Sequence, residues 1–227
     1  KLVEMFMADN PDVKINVQGG GSSVGVKSAA EGVAQIGMAS REVKQSELDE
    51  YPELQPVAIA YDGIAIGVHP DVTVDGISLD EVRGIFAGEI TNWSEVGGPH
   101  KIITVVARDA ESGTRAAYEE MAMEDKLIAD TAILLPSNGA VRTTVSTTPN
   151  SVGFLSFGYL DGSVKALKVD GTEPTAANAA SGAYPIVRPL NMMTKGAPEG
   201  AVKAYLDFVM SDEAQAVVAE EGYIALN

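Results

Sequence analysis

An apolar, β-branched run that ends among cations and hydroxyls and continues at once as a helix constrains this chain more than any other stretch. Ile102-Ile103-Thr104-Val105-Val106-Ala107 has the length and branching of a buried strand. It leads into Arg108-Asp109-Ala110-Glu111-Ser112-Gly113-Thr114-Arg115, and residues 116–123 have helical character. Ser112 is placed to cap that helix, with Gly113, Thr114 and Arg115 in its first turn. A helix start carries unpaired N–H groups and partial positive charge, so an arginine there is in electrostatic conflict. An anion among the N–H groups, the hydroxyls and a guanidinium fork removes the conflict. So does Arg115 turning outward to meet Glu119 four residues on.

The same design recurs along the chain. Residues 13–17 alternate as a strand, Gly19-Gly20-Gly21-Ser22-Ser23 follows, and residues 24–30 continue as a helix. The Gly-Lys-Ser/Thr ending of a nucleotide phosphate loop is absent there. Residues 34–39 form a short strand that ends at Ser40-Arg41-Glu42, and Ser137-Asn138-Gly139-Ala140 resembles a fourth helix start. Residues 57–68 make an apolar segment long enough to run from one domain into another. Ser78-Leu79-Asp80-Glu81 is a capping box for a helix through Phe86, and the lone Trp93 reads as structural. Residues 152–155, 164–167 and 186–193 read as extended; 198–210 and 212–221 read as helices, as do residues 1–9. Strands alternating with helices predict an α/β class with largely parallel pairing. Ligands in such sheets sit at the carboxyl ends of strands, where these hydroxyl-bearing loops fall.

Charge narrows the function. The 227 residues carry 32 acidic against 16 basic side chains, a net charge of -16. That balance argues against nucleic acid and against an anionic membrane surface, both of which call for basic patches. An anionic ligand must then be captured by a local site against the global field. With no cysteine, disulfides and thiolate metal sites are excluded. His69 and His100 flank prolines and read as loop residues, so neither a metal nor a cofactor is expected. No apolar run approaches the length of a membrane span.

On these residues the chain resembles, end to end, the phosphate-binding proteins of ABC transporters, the PstS-type family. Gly19-Gly20-Gly21-Ser22-Ser23-Val24-Gly25 is similar to the family's first hydroxyl loop, and Ile36-Gly37-Met38-Ala39-Ser40-Arg41-Glu42 to its second. Ile85-Phe86-Ala87-Gly88-Glu89-Ile90-Thr91-Asn92-Trp93-Ser94-Glu95-Val96-Gly97-Gly98 is close to a family signature. Arg108 to Arg115 resembles the Arg-x-x-x-Ser-Gly-Thr phosphate loop; Tyr184-Pro185-Ile186-Val187-Arg188-Pro189-Leu190 and Gly222-Tyr223-Ile224 also match. The resemblance implies a two-lobed periplasmic-binding-protein-like fold of type II, with a ligand cleft between two α/β domains. Lobe I would comprise residues 1–61 and 184–227, and lobe II residues 62–183. It further implies an extracytoplasmic protein, periplasmic or extracellular and open to lipid tethering, with inorganic phosphate and a transporter permease as partners.

Carried over residue by residue, the resemblance makes Ser22 a hydroxyl and N–H donor, Arg108 the guanidinium, and Ser112, Gly113 and Thr114 helix-start donors. Ser40 matches the second loop. Where some members hold an aspartate that accepts the proton of hydrogen phosphate, this chain has Arg41. Asp62 is the candidate replacement and Asp109 the next; the alternative for both is a salt bridge to Arg41 or Arg108. The family also opens with a strand and a Ser/Thr-rich loop ahead of the first helix. A chain beginning at Lys1 is therefore expected to bind phosphate weakly and to self-associate. Two other functions stay open: a receptor or sensor for sulfate or molybdate, and, less favoured for want of a metal-carboxylate cluster, a catalytic lysine loop or a histidine nucleophile, a phosphoryl-transfer enzyme.

Overall fold

The structure, a computed structural model, describes residues 1–226. Its regular elements are α1 (Leu2–Asp9), α2 (Ser22–Ala30), β1 (Gly37–Ala39), α3 (Gln45–Glu50), β2 (Leu54–Val68), β3 (Gly76–Ile77) and α4 (Leu79–Phe86). There follow β4 (Thr104–Arg108), α5 (Gly113–Tyr118), β5 (Ile133–Leu135), α6 (Asn138–Thr147), β6 (Ser151–Ser156), β7 (Lys165–Ala166) and β8 (Lys168–Val169). The chain closes with α7 (Ala176–Ala180), β9 (Val187–Lys195), α8 (Gly200–Val209) and α9 (Asp212–Glu220). It divides into two units, Lys1–Tyr61 with Pro189–Asn227 and Asp62–Arg188. The chain passes from one to the other inside β2 and again inside β9.

The return crossing at Arg188/Pro189 has a local reason. The Tyr184 hydroxyl donates to Ile64 O at 2.9 Å, Ile64 N donates to Ile186 O at 2.9 Å, and Arg188 pairs with Asp62. These bonds tie residues 184–188 to the second unit.

In unit 1, β1 runs antiparallel to β9 with Gly37 opposite Met193, and β9 lies between β1 and β2 in the sheet order. One cluster joins Val26, Ala29, Ala39, Leu54 and Met193; another joins Phe6, Met192, Tyr205 and Val209. Helix α2 lies on β1 at backbone distance. A Cβ on Gly25 would sit 2.0 Å from Met38 O, and one on Gly37 2.2 Å from Gly25 O, so both contacts require glycine. Residues 13–17, expected as a strand, are irregular. Val13 and Ile15 are partly buried against the Phe6 cluster while Val17 is exposed, so packing on that cluster, without a ladder, accounts for the alternation.

In unit 2 the sheet order is β2, β6, β4, β5. The expectation of largely parallel pairing is corrected to a mixed sheet. β4 is parallel to both β5 and β6, because α5 and α6 return the chain between them, whereas β2 enters from unit 1 and runs antiparallel to β6 and β7. β1 and β9 are antiparallel as well. The core stacks Tyr118 on Phe154, ring centroids 4.2 Å apart, with Phe86 against both. The helical stretch 116–123 is not uniform: α5 gives way to a π turn at Glu119–Met123. That wider turn brings Tyr118 and Met123, five apart and both fully buried, onto one face. Trp93 is buried and donates Nε1–H to Asn150 O at 3.0 Å, a structural role. Among the described residues no helix is long and apolar enough to cross a membrane.

Candidate anion-binding site

Parallel β4 and β5 deliver their carboxyl ends side by side in unit 2, Arg108 opposite Leu135, and a helix starts after each. Ser112 caps α5 by accepting from Arg115 N at 3.1 Å, and Ser137 caps α6 by accepting from Ala140 N at 3.1 Å. The two starts are joined by Asn138, whose Nδ2 donates to Thr114 Oγ1 at 3.4 Å. Its Oδ1 in turn accepts from Ser156 N at 3.4 Å, at the end of β6. Ser112, Gly113 and Thr114 are buried.

The two arginines of the loop have different fates. Arg115 bonds Glu119 Oε1 through Nε at 2.8 Å and Arg108 O through Nη1 at 3.1 Å, which resolves its conflict with the helix start. Arg108 is half-buried; its Nε donates to Leu135 O at 3.2 Å and its Nη2 to Pro136 O at 2.9 Å. Nη1 has no hydrogen-bond acceptor among the described residues. Burial pulls the Arg108 pKa down, Asp109 pulls it up, and the nearby Arg188 guanidinium pushes it down again. A half-buried cation beside a second cation, with donors to spare, suits an anion.

Asp62 is fully buried, at 0% exposure. Its partner is Arg188, which places Nη2 2.7 Å and Nε 3.1 Å from Oδ2. The expected alternatives, Arg41 and Arg108, are thus replaced by a third arginine. Burial raises the Asp62 carboxyl above the ordinary carboxylate range, against the opposing pull of Arg188, the Ser156 hydroxyl and the Phe157 N–H. Oδ1 and the Ser156 Oγ make no hydrogen bond of standard geometry among the described residues. A Cβ on Gly63 would meet the Phe157 ring at 2.2 Å, so glycine is what lets that ring lie over the strand beside Asp62.

In unit 1, Ser22 opens α2 and its Oγ accepts from Ser40 N at 3.0 Å, with the two hydroxyls 3.4 Å apart. With a lone pair so occupied, the Ser22 hydroxyl keeps a proton to donate. Arg41, 3% exposed, is spent on another carboxylate. Its Nη1 and Nη2 reach Glu47 Oε2 and Oε1 at 2.8 and 2.7 Å, and Nη2 touches Ser23 Oγ at 3.4 Å. The bidentate pair holds the Glu47 carboxyl below its ordinary value. Arg41, which stands at the second hydroxyl loop and is carried over with it as a phosphate-binding candidate, has both Nη groups on Glu47 and so braces the loop beside Ser40.

Arg188, Ser156 and Asn138 belong to the unit 2 cluster and were not among the expected residues. Arg188 had a signal: it is the one charge within residues 186–193, as Asp62, of opposite sign, is the one charge within β2. No group of three or more His, Asp or Glu among the described residues is arranged to hold a metal.

The chain as a whole is similar to several known proteins. The family model described as PBP superfamily domain matches residues 1–213. The phosphate-binding protein PstS of Bacillus subtilis is 40% identical over 223 residues, 97% of this chain and 74% of its own length. PstS of Borreliella burgdorferi is 28% identical over 238 residues, 100% of this chain and 85% of its own. Among solved structures, a phosphate ABC transporter substrate-binding protein with bound phosphate from Clostridium perfringens matches with TM-score 0.95 at 38% identity, covering 100% of this chain and 93% of that one. An ABC-type phosphate transport receptor from Vibrio cholerae matches with TM-score 0.84 at 34% identity, covering 98% and 93%.

Proposed function

We propose, since the chain belongs to the PstS-type phosphate-binding proteins of the PBP superfamily, that it captures inorganic phosphate outside the cytoplasm and delivers it to the permease of an ABC transporter. Phosphate is bound and released unchanged. The observation that carries this reading in the chain itself is Arg108: a half-buried guanidinium with uncommitted Nη1 donors, set against a serine-capped helix start. In a chain of net charge -16 such a cation cluster is a local trap for a small anion.

On this reading Arg108 and the α5 start (Ser112, Gly113, Thr114) are the phosphate donors of unit 2. Ser22 and Ser40 are the donors of unit 1. Asp62, whose Oδ1 makes no hydrogen bond of standard geometry, is the carboxylate on which acceptance of the phosphate proton depends, and Asp109 is the next candidate. Calorimetric titration of the full-length protein with phosphate and with sulfate tests the reading, together with an aryl phosphate assay. One-to-one phosphate binding, weaker sulfate binding and no hydrolysis are expected. Turnover of the ester without stoichiometric phosphate binding would overturn the receptor reading, and preference for sulfate would reassign the ligand.

A further inference from the structure

Two buried side-chain atoms without a hydrogen-bond partner among the described residues, Asp62 Oδ1 and Ser156 Oγ, belong to neighbouring groups. Sheet register sets Ser156 opposite Ile64, two residues from Asp62 on the adjacent strand. Arg188 holds the other carboxylate oxygen through Nη2 and Nε. From Ser156 the path to the anion site is one side chain long: Ser156 N donates to Asn138 Oδ1, and Asn138 Nδ2 donates to Thr114 Oγ1. Buried polar atoms left unpaired are costly, so such a pair calls for a partner that arrives later.

A hydroxyl has one proton and two lone pairs. Beside an ionised carboxylate oxygen that makes no hydrogen bond of standard geometry, the hydroxyl proton turns to the carboxylate and the lone pairs face away. A serine fixed in this way can only accept. Hydrogen phosphate brings a proton to give, whereas sulfate brings only lone pairs. We propose that Ser156, oriented by Asp62 and through it by Arg188, is a specificity-determining residue that admits a protonated oxyanion and rejects a fully deprotonated one. This rests on the reading of phosphate as the ligand and adds to it the groups that select its proton state.

The proposal has a pH signature. The groups acting on Asp62 are Arg188, the Ser156 hydroxyl and the Phe157 N–H, with Arg108 and its neighbour Asp109 beyond Arg188. As pH falls through the raised Asp62 value the carboxyl takes up a proton. The Ser156 hydroxyl is then free to donate, and discrimination fades. Loss of Arg188 removes the strongest support for the charged form and moves that fade to higher pH.

Titrations with inorganic phosphate and sulfate, from acid to mildly alkaline pH, test it on wild type, Ser156→Ala, Arg188→Lys and Arg188→Met. Ser156→Ala is expected to lower the phosphate-to-sulfate affinity ratio at least about tenfold above the Asp62 titration. Arg188→Met should shift the pH midpoint of the ratio upward, and Arg188→Lys should restore it in part. If Arg188→Met does not fold, the double variant Asp62→Asn with Arg188→Met removes both buried charges together and should match Ser156→Ala. A ratio that stays within about twofold of wild type in Ser156→Ala, or equal weakening of both anions, overturns the role of Ser156 while leaving the receptor reading intact. A wild-type protein that binds no phosphate overturns both.

Discussion

Arg108 and Arg115 bracket one loop, and only their partners tell them apart. Arg115 is consumed by Glu119, whereas Arg108 touches two carbonyls and retains donors. Charge-assisted bonds to a buried anion are worth roughly 1.5–3 kcal/mol each, and about 1.4 kcal/mol is a factor of ten. Arg108→Ala is therefore expected to weaken phosphate binding at least about tenfold in a calorimetric titration. Lysine should rescue it incompletely because the fork geometry is lost; unchanged affinity with an intact circular dichroism spectrum would remove Arg108 from the site. Arg41 supports a different expectation. Glu47 has its carboxyl held down in the folded state, so its contribution is present above the unfolded Glu value and is lost as pH falls through the lower, folded one. Acid unfolding monitored below the ordinary Glu range should show this loss, and Glu47→Gln should flatten it while costing roughly 1–3 kcal/mol near neutrality. Ser112 and Thr114 were legible in sequence because helix starts are local. Arg188 was not matched to Asp62 because the two are 126 residues apart, and sequence shows two stray charges without showing that they meet.

At the scale of elements the same divide holds. The caps at Ser78, Ser112 and Ser137 could be read directly, since each bonds an N–H three residues on. Strand direction could not, because pairing depends on which strands the crossovers bring together. The π turn after α5 was hidden too, as it answers to the burial of Tyr118 and Met123 rather than to local propensity. The α2–β1 contact offers a sharp test. Gly25 meets the Met38 carbonyl, a backbone atom that cannot rotate away as a side chain would. Gly25→Ala should destabilise the protein by roughly 1–3 kcal/mol, with a lowered thermal midpoint and weaker phosphate binding as α2 carries Ser22 away. A midpoint equal to wild type would mean that α2 can move off β1 without cost.

For the whole molecule, charge and chain path matter most. A net charge of -16 repels phosphate at long range, and salt screens that field beyond about 8–10 Å while leaving close contacts in place. Added sodium chloride should raise the phosphate association rate in stopped-flow measurements. A falling rate would show instead that the Arg108 and Arg188 field dominates the approach. The chain path has another consequence. Because the chain enters unit 2 at Asp62 and leaves it at Arg188, that unit is one uninterrupted stretch, whereas unit 1 is assembled from the two ends. Most of β9, the strand between β1 and β2, leaves the ribosome after all of unit 2. Pulse-labelled amide exchange during refolding is expected to protect β4 and β6 before β1, and simultaneous protection would argue for a single cooperative step. A newborn molecule then carries a finished middle between unfinished ends, and its unpaired strand edges are open to other chains during that interval of synthesis.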